Sequence, residues 1–298
     1  MLKSAQAAVR RHPIVRNAKV LLRAPLVLRA VLRDTLYRRH APHALAVCAI
    51  FKDEARFLDE WIRFHAGIGV TQFYLYDNDS RDDFYDVLRP FIGRGLVTLR
   101  HWPRKPGQRS AYRDCLARHW QAARWIAFID LDEFLFSPRQ ADIRPILESY
   151  SDVPAVFVHH VNFGSSGHQI SPPGPLVEAY TCCESPGRSQ SGKSIVNPCL
   201  ARGVSQTHVL PLWRGVTRNS DRVVISQVPV PPEVKRAFTT LQLNHYWSRS
   251  IQDLGDKVRR GDAVYGTDRD LDRHLQIERA MNEAVDTSII PIWRAIAG

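Results

Sequence analysis

Residues 125–135 constrain the fold of this chain more than any other stretch. A short apolar run, residues 125–129, is followed at once by two carboxylates one residue apart, Asp130 and Asp132. This pattern is typical of a buried strand that carries acids to the carboxyl edge of an α/β sheet. Because residues i and i+2 of an extended chain share one face, we expect Asp130 and Asp132 to reach one cation together.

Three strand–helix units precede this stretch. Apolar runs predict strands at residues 44–51, 72–76 and 96–102. Helical periodicity predicts the helices that follow them, at residues 57–65, 82–92 and 108–123. Alternation of this kind predicts a parallel, right-handed open sheet with its ligands at the carboxyl ends of the strands. Polar residues end three of the strands, at 52–54, 77–80 and 130–132, and we expect them to line one crevice.

The second half of the chain has weaker patterns. They predict strands at residues 155–163, 176–182, 222–227 and 241–247, and then helices at residues 253–261 and 268–284. The predicted organisation has three parts: a basic amphipathic arm at residues 1–42, an α/β domain at residues 43–250 and a helical tail at residues 251–298.

The composition is that of a globular protein. Of 298 residues, 44% are hydrophobic and 24% are charged, which excludes a disordered or fibrous chain. No stretch approaches the roughly eighteen uninterrupted apolar residues of a membrane-spanning helix. The five cysteines form no Cys-x-x-Cys pair and are odd in number. We therefore expect a reducing compartment, the cytoplasm, rather than a disulfide framework.

Most of the positive charge lies in the arm. Residues 1–40 hold ten Lys or Arg against one acid, Asp34, and so carry nine of the eleven net positive charges. The nearly neutral body argues against a nucleic-acid partner. Leucines alternate with arginines at roughly helical spacing, interrupted by Pro25, which predicts an amphipathic helix on the anionic inner face of a membrane. The alternative is that the arm packs on the body or on a second subunit.

Closely spaced carboxylates at a strand end are hard oxygen ligands. They suit Mg²⁺ or Mn²⁺ better than zinc, which prefers histidine and cysteine. A cation held by one or two carboxylates usually completes its shell with water and substrate phosphates. The expected ligand is therefore a nucleotide or another phosphate ester. Neither the Gly-x-Gly-x-x-Gly nor the P-loop pattern occurs, which argues against a dinucleotide oxidoreductase and a P-loop NTPase.

Several motifs occur together in an order that resembles glycosyltransferases of families 2 and 92. They lie at residues 47–54, 58–65, 74–80, 108–116, 129–134, 244–247 and 257–261. The resemblance implies a GT-A fold, an open mixed and mostly parallel α/β sheet flanked by helices. It also implies a nucleoside-diphosphate sugar donor, with UDP-sugars favoured, a divalent metal on Asp-x-Asp, and transfer with inversion. Residues 43–136 would form the nucleotide-sugar half and residues 137–250 the acceptor half.

The resemblance also assigns roles to single residues. Asp130 and Asp132 correspond to the metal and donor-diphosphate residues, and His245 to a late histidine that completes the metal shell. The residues expected to contact the donor are Lys52, Glu54, Asp77, Asn78, Gln108, Arg113 and Lys193. For Lys193 the alternative is a solvated loop charge, and for His245 a hydrogen-bonded core histidine.

The acceptor site and the catalytic base are less constrained. A glycan or lipid-linked acceptor, as in bacterial surface polysaccharide synthesis, fits the basic arm. Its contacts are expected in the loop formed by Phe163, Gly164, Ser165, Ser166 and Gly167. The candidate bases are Glu133, His168, Glu178, Glu184 and Asp221. The Glu133 side chain is expected to point away from the Asp130 and Asp132 face.

Two other classes of function stay open. A phosphatase or phosphotransferase with an aspartyl nucleophile also starts from an apolar strand and Asp-x-Asp. That class, however, has a small hydroxyl-bearing or branched residue where Phe134 stands. A non-enzymatic nucleic-acid or membrane-binding protein would use the basic arm, but would leave the three polar strand ends unexplained.

Overall fold

Strands and helices alternate through the first half of the protein. The computed structural model describes residues 13–185, 187–234, 238–260 and 270–298. Helix α1 (Pro13–Tyr37) and a 3-10 turn (Arg38–His40) come first. They are followed by β1 (His43–Phe51), α2 (Ala55–Gly67), β2 (Gln72–Asp77), α3 (Phe84–Gly93), β3 (Val97–His101), α4 (Gln108–His119) and β4 (Ala123–Phe128). The predicted order and type of these seven elements are confirmed.

The second half has shorter elements and longer connections. Its elements are β5 (Glu133–Phe136), α5 (Arg144–Glu148), β6 (Ala155–Asn162), α6 (Leu176–Ala179), β7 (Cys182–Cys183), β8 (Gly192–Val196), β9 (Thr217–Asn219) and β10 (Gln242–His245). The C-terminal elements are α7 (Ile251–Arg260), α8 (Leu271–Arg279), β11 (Ala284–Val285) and α9 (Ile290–Ala297).

Nine strands form one mixed sheet. Their order is β3-β2-β1-β4-β8-β6-β10-β5, with β9 beside β6. The strands β3, β2, β1 and β4 are parallel. Strand β8 is antiparallel to both its neighbours, β4 and β6, and β5 is antiparallel to β10. The predicted α/β class, an open mixed sheet that is mostly parallel and flanked by helices, is confirmed.

Strand β1 is buried on both faces. The odd-numbered residues 45–51 join the apolar cluster that contains Trp61 of α2. The even-numbered residues 46–50 join a second cluster, which contains Tyr112 of α4. Because an unpaired polar side chain is costly inside such layers, polar chemistry is confined to the ends of the central strands.

The C-terminal helices pack on the same body. Trp293 of α9 joins the cluster that contains Trp61. A Cβ atom at Gly67 would lie 2.5 Å from Cγ1 of Ile296, so α9 approaches α2 closely only because residue 67 is glycine. Helix α9 of the C-terminal tail is thus packed against the α/β domain.

Helix α1 lies across the end of the sheet where β4 begins. The Arg33 guanidinium sits 4.2 Å from the ring centroid of Trp120, which precedes β4. Nδ2 of Asn197, just after β8, donates to Asp34 at 2.6 Å. None of the described helices is both long enough and apolar enough to span a bilayer.

Two predicted strands are wrong. Residues 176–179 form α6, because Pro175 starts a helical turn and the Glu60 carboxylate accepts the N–H groups of Leu176 and Val177. Residues 222–227 form no strand; within them Val224 makes one isolated bridge to Arg218. Strand β8 was not predicted, since Lys193 and Ser194 interrupt its short apolar pattern.

Candidate active site

Asp130 and Asp132 lie in a turn between β4 and β5, not on an extended strand. Strand β4 ends at Phe128, and residues 131 and 132 form the turn that starts β5. The prediction that both carboxylates share the face of one strand is therefore wrong. Each carboxylate instead has its own set of partners, because the turn separates their directions.

Asp130 is held by α4 and β8. Its Oδ1 accepts hydrogen bonds from Nε2 of Gln108 at 2.5 Å and from the Tyr112 hydroxyl at 3.1 Å. Its Oδ2 accepts from the Lys193 ammonium at 2.7 Å. Burial, together with the charges of Glu133 and Asp132, raises the pKa of Asp130 although Lys193 opposes the shift. Gln108, predicted near the donor, thus lies directly beside Asp130.

Lys193 is a buried cation at the centre of the site. It lies on β8, is 2% exposed, and also has its Nζ 3.7 Å from Oε1 of Glu133. Burial alone would lower the pKa of Lys193, but the carboxylates of Asp130 and Glu133 outweigh burial and raise it. The alternative interpretation, a solvated loop charge, is wrong.

Asp132 faces the other side of the turn. Its Oδ2 accepts from the Lys257 ammonium of α7 at 2.6 Å, and Nε2 of His245 lies 3.6 Å from the same oxygen. Burial alone would raise the pKa of Asp132. Lys257 and His245 outweigh burial and hold that pKa well below its usual range. The Asp132 carboxylate is therefore ionised.

Glu133 points into the site, contrary to the prediction from strand alternation. Its Oε2 accepts the backbone N–H of Asp130 at 2.9 Å, and its Oε1 lies 2.9 Å from Nε2 of His160. Burial would raise the pKa of Glu133, but Lys193 and His160 outweigh burial and lower it to about 2. The turn after β4 redirects this side chain, and an extended chain would not.

His245 is fixed in one tautomer by two polar neighbours. Nδ2 of Asn162 donates to Oε1 of Glu184 at 2.9 Å, so the Asn162 Oδ1 faces Nδ1 of His245, also at 2.9 Å. An amide oxygen only accepts, so Nδ1 of His245 carries the proton. In the neutral form of the ring the lone pair then lies on Nε2, which faces Asp132. We refer to Glu184, Asn162 and His245 as the His245 relay.

The donor atoms around His245 suit a divalent cation. One carboxylate oxygen of Asp132 and the bare Nε2 of His245 form an oxygen and imidazole pair. Ligand atoms of Glu133, His160 and His245 also lie within 4.8 Å of one another. Buried Oε1 of Glu133 and Nε2 of His160 have no hydrogen bond of good geometry. This mixed oxygen and nitrogen set fits Mn²⁺.

Two cavities open at this edge of the sheet. The catalytic-side cavity, about 260 Å³, is lined by Gln108, Asp130, Glu133, His160, Asn162, Ser191, Lys193, Thr207, His208, His245, Trp247 and Met281. A second cavity, about 560 Å³, is lined by Lys52, Asp53, Arg81, Asp256 and Arg259. Lys52 alone of the predicted donor residues lines the second cavity.

Other predicted donor residues have structural partners. The buried Arg249 guanidinium donates to Glu54 at 2.6 Å. Asp77 accepts from the backbone N–H of Ser80 at 2.8 Å and lies 3.0 Å from His101 Nδ1.

Asn78 and Arg113 bond to main-chain carbonyls instead. Nδ2 of Asn78 donates to the carbonyl oxygens of Trp102 and Arg104, which ties β2 to the chain after β3. Arg113 donates to the carbonyl oxygen of Val204 at 3.2 Å. Neither residue lines the two cavities described above.

The predicted acceptor loop does not line the catalytic-side cavity. Phe163 is buried in the core, and the N–H of Gly164 donates to the carbonyl oxygens of Cys182 and Met281. Ser165 and Ser166 donate their N–H groups to Glu278 and Asn282. Gly167 completes this turn with a positive φ of 83°. Contacts with the C-terminal elements fix the conformation of this loop, which is therefore not open to an acceptor from the catalytic-side cavity.

Of the five candidate bases, only Glu133 lines the catalytic-side cavity. Nε2 of His168 lies 3.1 Å from the carbonyl oxygen of Ala179. Glu178 pairs with Arg294 at 2.7 Å, and Glu184 belongs to the His245 relay. Asp221 lies in a turn, and its backbone N–H donates to Oδ1 of Asn219. None of those four side chains reaches the catalytic-side cavity.

Several residues of the site were missed from sequence, among them His160 and Asn162 of β6. Lys257 belongs to the 257–261 motif and Tyr112 to the 108–116 motif, so both were available as candidates. His208 lies in an irregular segment with no periodic pattern. Only the pairing of that segment with β8 brings it to the cavity.

Comparison with known proteins identifies the family. The family model described as glycosyltransferase family 92 matches residues 42–253. This chain belongs to glycosyltransferase family 92. A family 92 protein of castor bean (Ricinus communis) is 32% identical over 242 residues, covering 78% of this chain and 40% of the relative.

Two further plant relatives are shorter matches. A rice (Oryza sativa subsp. japonica) family 92 protein is 34% identical over 180 residues, covering 58% of this chain and 31% of the relative. A galactan β-1,4-galactosyltransferase of Arabidopsis thaliana is 33% identical over 105 residues, covering 31% of this chain and 20% of the relative. This family 92 chain thus spans less than half the length of these relatives.

We expect Lys193→Met to lower the free energy of unfolding by about 3 kcal/mol. The substitution leaves Asp130 and Glu133 buried without their cation, and removing one partner of a buried pair costs about 3–5 kcal/mol. Urea unfolding at pH 7 measures the change. The exposed Lys105→Met is the matched control and is expected to shift it by about 0.5 kcal/mol at most. Equal losses in the two variants would contradict the buried-pair interpretation.

Proposed function

We propose that this protein is a metal-dependent, inverting glycosyltransferase that moves a sugar from a nucleoside-diphosphate sugar to a glycan acceptor. The observation that carries the proposal is the geometry at Asp132, where the bare Nε2 of His245 faces an ionised carboxylate at 3.6 Å. Membership of family 92 supports the same reaction class.

Asp132 and His245 would hold the cation. When bound, Mn²⁺ or Mg²⁺ neutralises the negative charge that develops on the departing nucleoside diphosphate. Two protein cations flank the same place: Lys193 beside Asp130, and Lys257 beside Asp132. Since both ammonium groups are already held by carboxylates, they are preorganised around the cavity and supply positive potential with little reorganisation.

The donor would span the two cavities. The second cavity carries Lys52, Arg81 and Arg259, basic groups of the kind that bind phosphates. The catalytic-side cavity, which begins at Asp130, would take the sugar and the acceptor hydroxyl. UDP-sugars are our first candidates, and UDP-galactose heads them because one relative is named as a galactan galactosyltransferase.

An aspartyl nucleophile is disfavoured by the surroundings of Asp130. Both of its carboxylate oxygens already accept hydrogen bonds, Oδ1 from Gln108 and Tyr112 and Oδ2 from Lys193. A nucleophile needs a free lone pair aimed at the substrate. The phosphotransferase alternative therefore has weaker support than sugar transfer.

We expect one nucleotide sugar to raise the melting temperature of the protein in the presence of Mn²⁺. A panel of UDP-galactose, UDP-glucose, UDP-N-acetylglucosamine and GDP-mannose, read by thermal shift and by slow donor hydrolysis, measures this. Asp132→Asn is expected to abolish both responses, because it removes the charge that binds the cation. Asp59→Asn is the control, since Asp59 pairs only with Arg63 at the surface. A protein that responds to none of the four donors contradicts the proposal.

Asn162→Ala is expected to weaken Mn²⁺ binding by about 10- to 100-fold, a range typical for partners of metal-binding histidines. The substitution removes the acceptor that keeps the proton of His245 on Nδ1. Isothermal titration with Mn²⁺ in the absence of donor measures it. Glu184→Gln retains an oxygen acceptor for Asn162 and serves as the milder control. Unchanged Mn²⁺ affinity in Asn162→Ala would show that the His245 relay does not contribute to metal binding.

The arm supports a membrane-surface partner. Ala30 of α1 is buried against the body, whereas Leu28, Leu32 and Leu36 are 60%, 51% and 59% exposed. At 100° per residue these leucines lie on the side of α1 opposite Ala30. An apolar ridge in a strongly basic segment is typical of helices that lie on anionic lipid. We therefore extend the proposal to peripheral attachment at the cytoplasmic face of a membrane.

Attachment through α1 would orient the catalytic edge away from the bilayer. Helix α1 contacts the end of the sheet where the parallel strands begin, and Asp130 follows the end of β4. The nine residues of β1 between these edges span about 26 Å at 3.3 Å per residue. This distance favours a glycan chain over a lipid head group as the acceptor. A role in bacterial surface polysaccharide synthesis stays a prediction.

We expect the triple variant Leu28→Ser/Leu32→Ser/Leu36→Ser to lose binding to vesicles that contain phosphatidylserine, as measured by co-sedimentation. Each substitution removes an exposed apolar side chain without touching the contacts of Arg33 or Asp34. Leu271→Ser, at an exposed leucine of α8, is the control. Vesicle binding equal to that of the unmodified protein would contradict attachment through these leucines.

A further inference from the structure

The catalytic-side cavity contains five titratable groups besides Lys193, and four of them are already engaged. The carboxylates are Asp130, which accepts from Lys193, and Glu133, which faces both Lys193 and His160. A carboxylate beside buried cations is a weak proton acceptor, because protonation would cost the ion pairs. This applies to Glu133, whose pKa is lowered to about 2. Burial raises the pKa of Asp130, but both of its oxygens already accept hydrogen bonds, from Gln108, Tyr112 and Lys193. Neither acid thus presents an unengaged oxygen to an acceptor hydroxyl.

Two of the three histidines at the cavity are also engaged. Nε2 of His160 faces Oε1 of Glu133 at 2.9 Å. Nε2 of His245 faces Asp132, and Nδ1 of the same ring donates to Oδ1 of Asn162. Both imidazoles are thereby bound to the carboxylate and metal side of the site.

His208 is arranged differently. Its Nδ1 donates to the carbonyl oxygen of Gly192 at 2.8 Å, so the lone pair of the neutral ring lies on Nε2. Among the described residues, none hydrogen-bonds to that Nε2. His208 lines the cavity together with Asp130 and Lys193.

Strand β8 holds His208 through both its imidazole ring and its backbone carbonyl. The side chain is bound to Gly192 of β8, and the carbonyl oxygen of His208 accepts from the Ser194 hydroxyl at 2.6 Å. The same strand carries Lys193, so His208 and the Asp130–Lys193 pair are positioned as one unit. Such a fixed imidazole is preorganised for proton transfer.

The environment keeps this ring neutral. Burial, reinforced by the nearby Lys193 ammonium, lowers the pKa of His208 to about 4. At neutral pH the Nε2 lone pair is therefore available. A donor with its negative diphosphate in the site would raise the pKa again, toward the range in which a general base works best.

We propose that His208 is the general base of the transfer reaction. The inference rests on the proposed function and assigns a catalytic role to this residue. The acceptor hydroxyl loses its proton to Nε2 of His208, and its oxygen forms a bond to the anomeric carbon. The bond between that carbon and the diphosphate oxygen breaks, and the leaving group takes the electron pair. The imidazolium then returns its proton to solvent.

The test is the His208→Gln variant, assayed with the donor that the panel identifies and with a glycan acceptor. We expect kcat for transfer to fall by about 100-fold or more, because a positioned base typically contributes that much. The donor KM, the Mn²⁺ affinity and the melting temperature are expected to stay unchanged. His168→Gln is the matched control, because His168 bonds to a main-chain carbonyl away from the cavity.

A second variant separates chemistry from folding. His208→Ala leaves space at Nε2, and added imidazole is expected to restore part of its transfer activity. Rescue by imidazole supports a base, and a purely structural role would not produce it. Transfer by His208→Gln at the unmodified rate, or parallel losses of donor binding and stability without rescue, would overturn the assignment. An unmodified protein that neither binds nor transfers any nucleotide sugar would overturn the assignment and the proposed function together.

Discussion

The buried Lys193 ammonium between Asp130 and Glu133 is the interaction on which the rest of the site depends. Two carboxylates this close in a dry interior would repel each other, and one would take up a proton. Lys193 allows both to stay at the end of β4, and β8 places it there because that strand runs antiparallel between β4 and β6. The antiparallel strand β8 in a mostly parallel sheet is thus a structural requirement of the site.

Each of the two acids in the turn after β4 is paired with a lysine. Lys193 neutralises Asp130, and Lys257 of α7 neutralises Asp132, so each acid of the pair has its own cation. A cation bound at Asp132 and His245 would compete with Lys257 for the same carboxylate. Lys257 would then be free to face a diphosphate, with net charge in the site kept near balance. Helix α7 would take part in the proposed chemistry for this reason, although it follows the α/β domain in sequence.

Sequence patterns predicted the first half of the fold well. The strands β1, β2 and β4 are mostly apolar runs buried on both faces, and the helices between the strands have amphipathic periodicity, so local composition is sufficient to recognise both. The second half was harder, because its strands are short and its buried polar residues break the pattern. Lys193 in β8 is the clearest case: a charged residue in a five-residue strand gives no apolar run. The strand predicted at Leu176 and Val177 was wrong for another reason: the Glu60 carboxylate, distant in sequence, stabilises a helical turn there.

The sequence by itself determined the family, the parallel core and the position of Asp130 and Asp132 after a buried strand, because these follow from local motifs and periodicity. Only the tertiary structure decided what those acids contact. The turn after β4 sends Asp130 toward Lys193 and Asp132 toward Lys257, and it brings Glu133 inside. The tautomer of His245 and the bare Nε2 of His208 likewise depend on partners far apart in the chain, Asn162 and Gly192. Hydrogen bonds between segments distant in sequence leave no local pattern in that sequence. They nevertheless fix the positions and contacts of the side chains in the site.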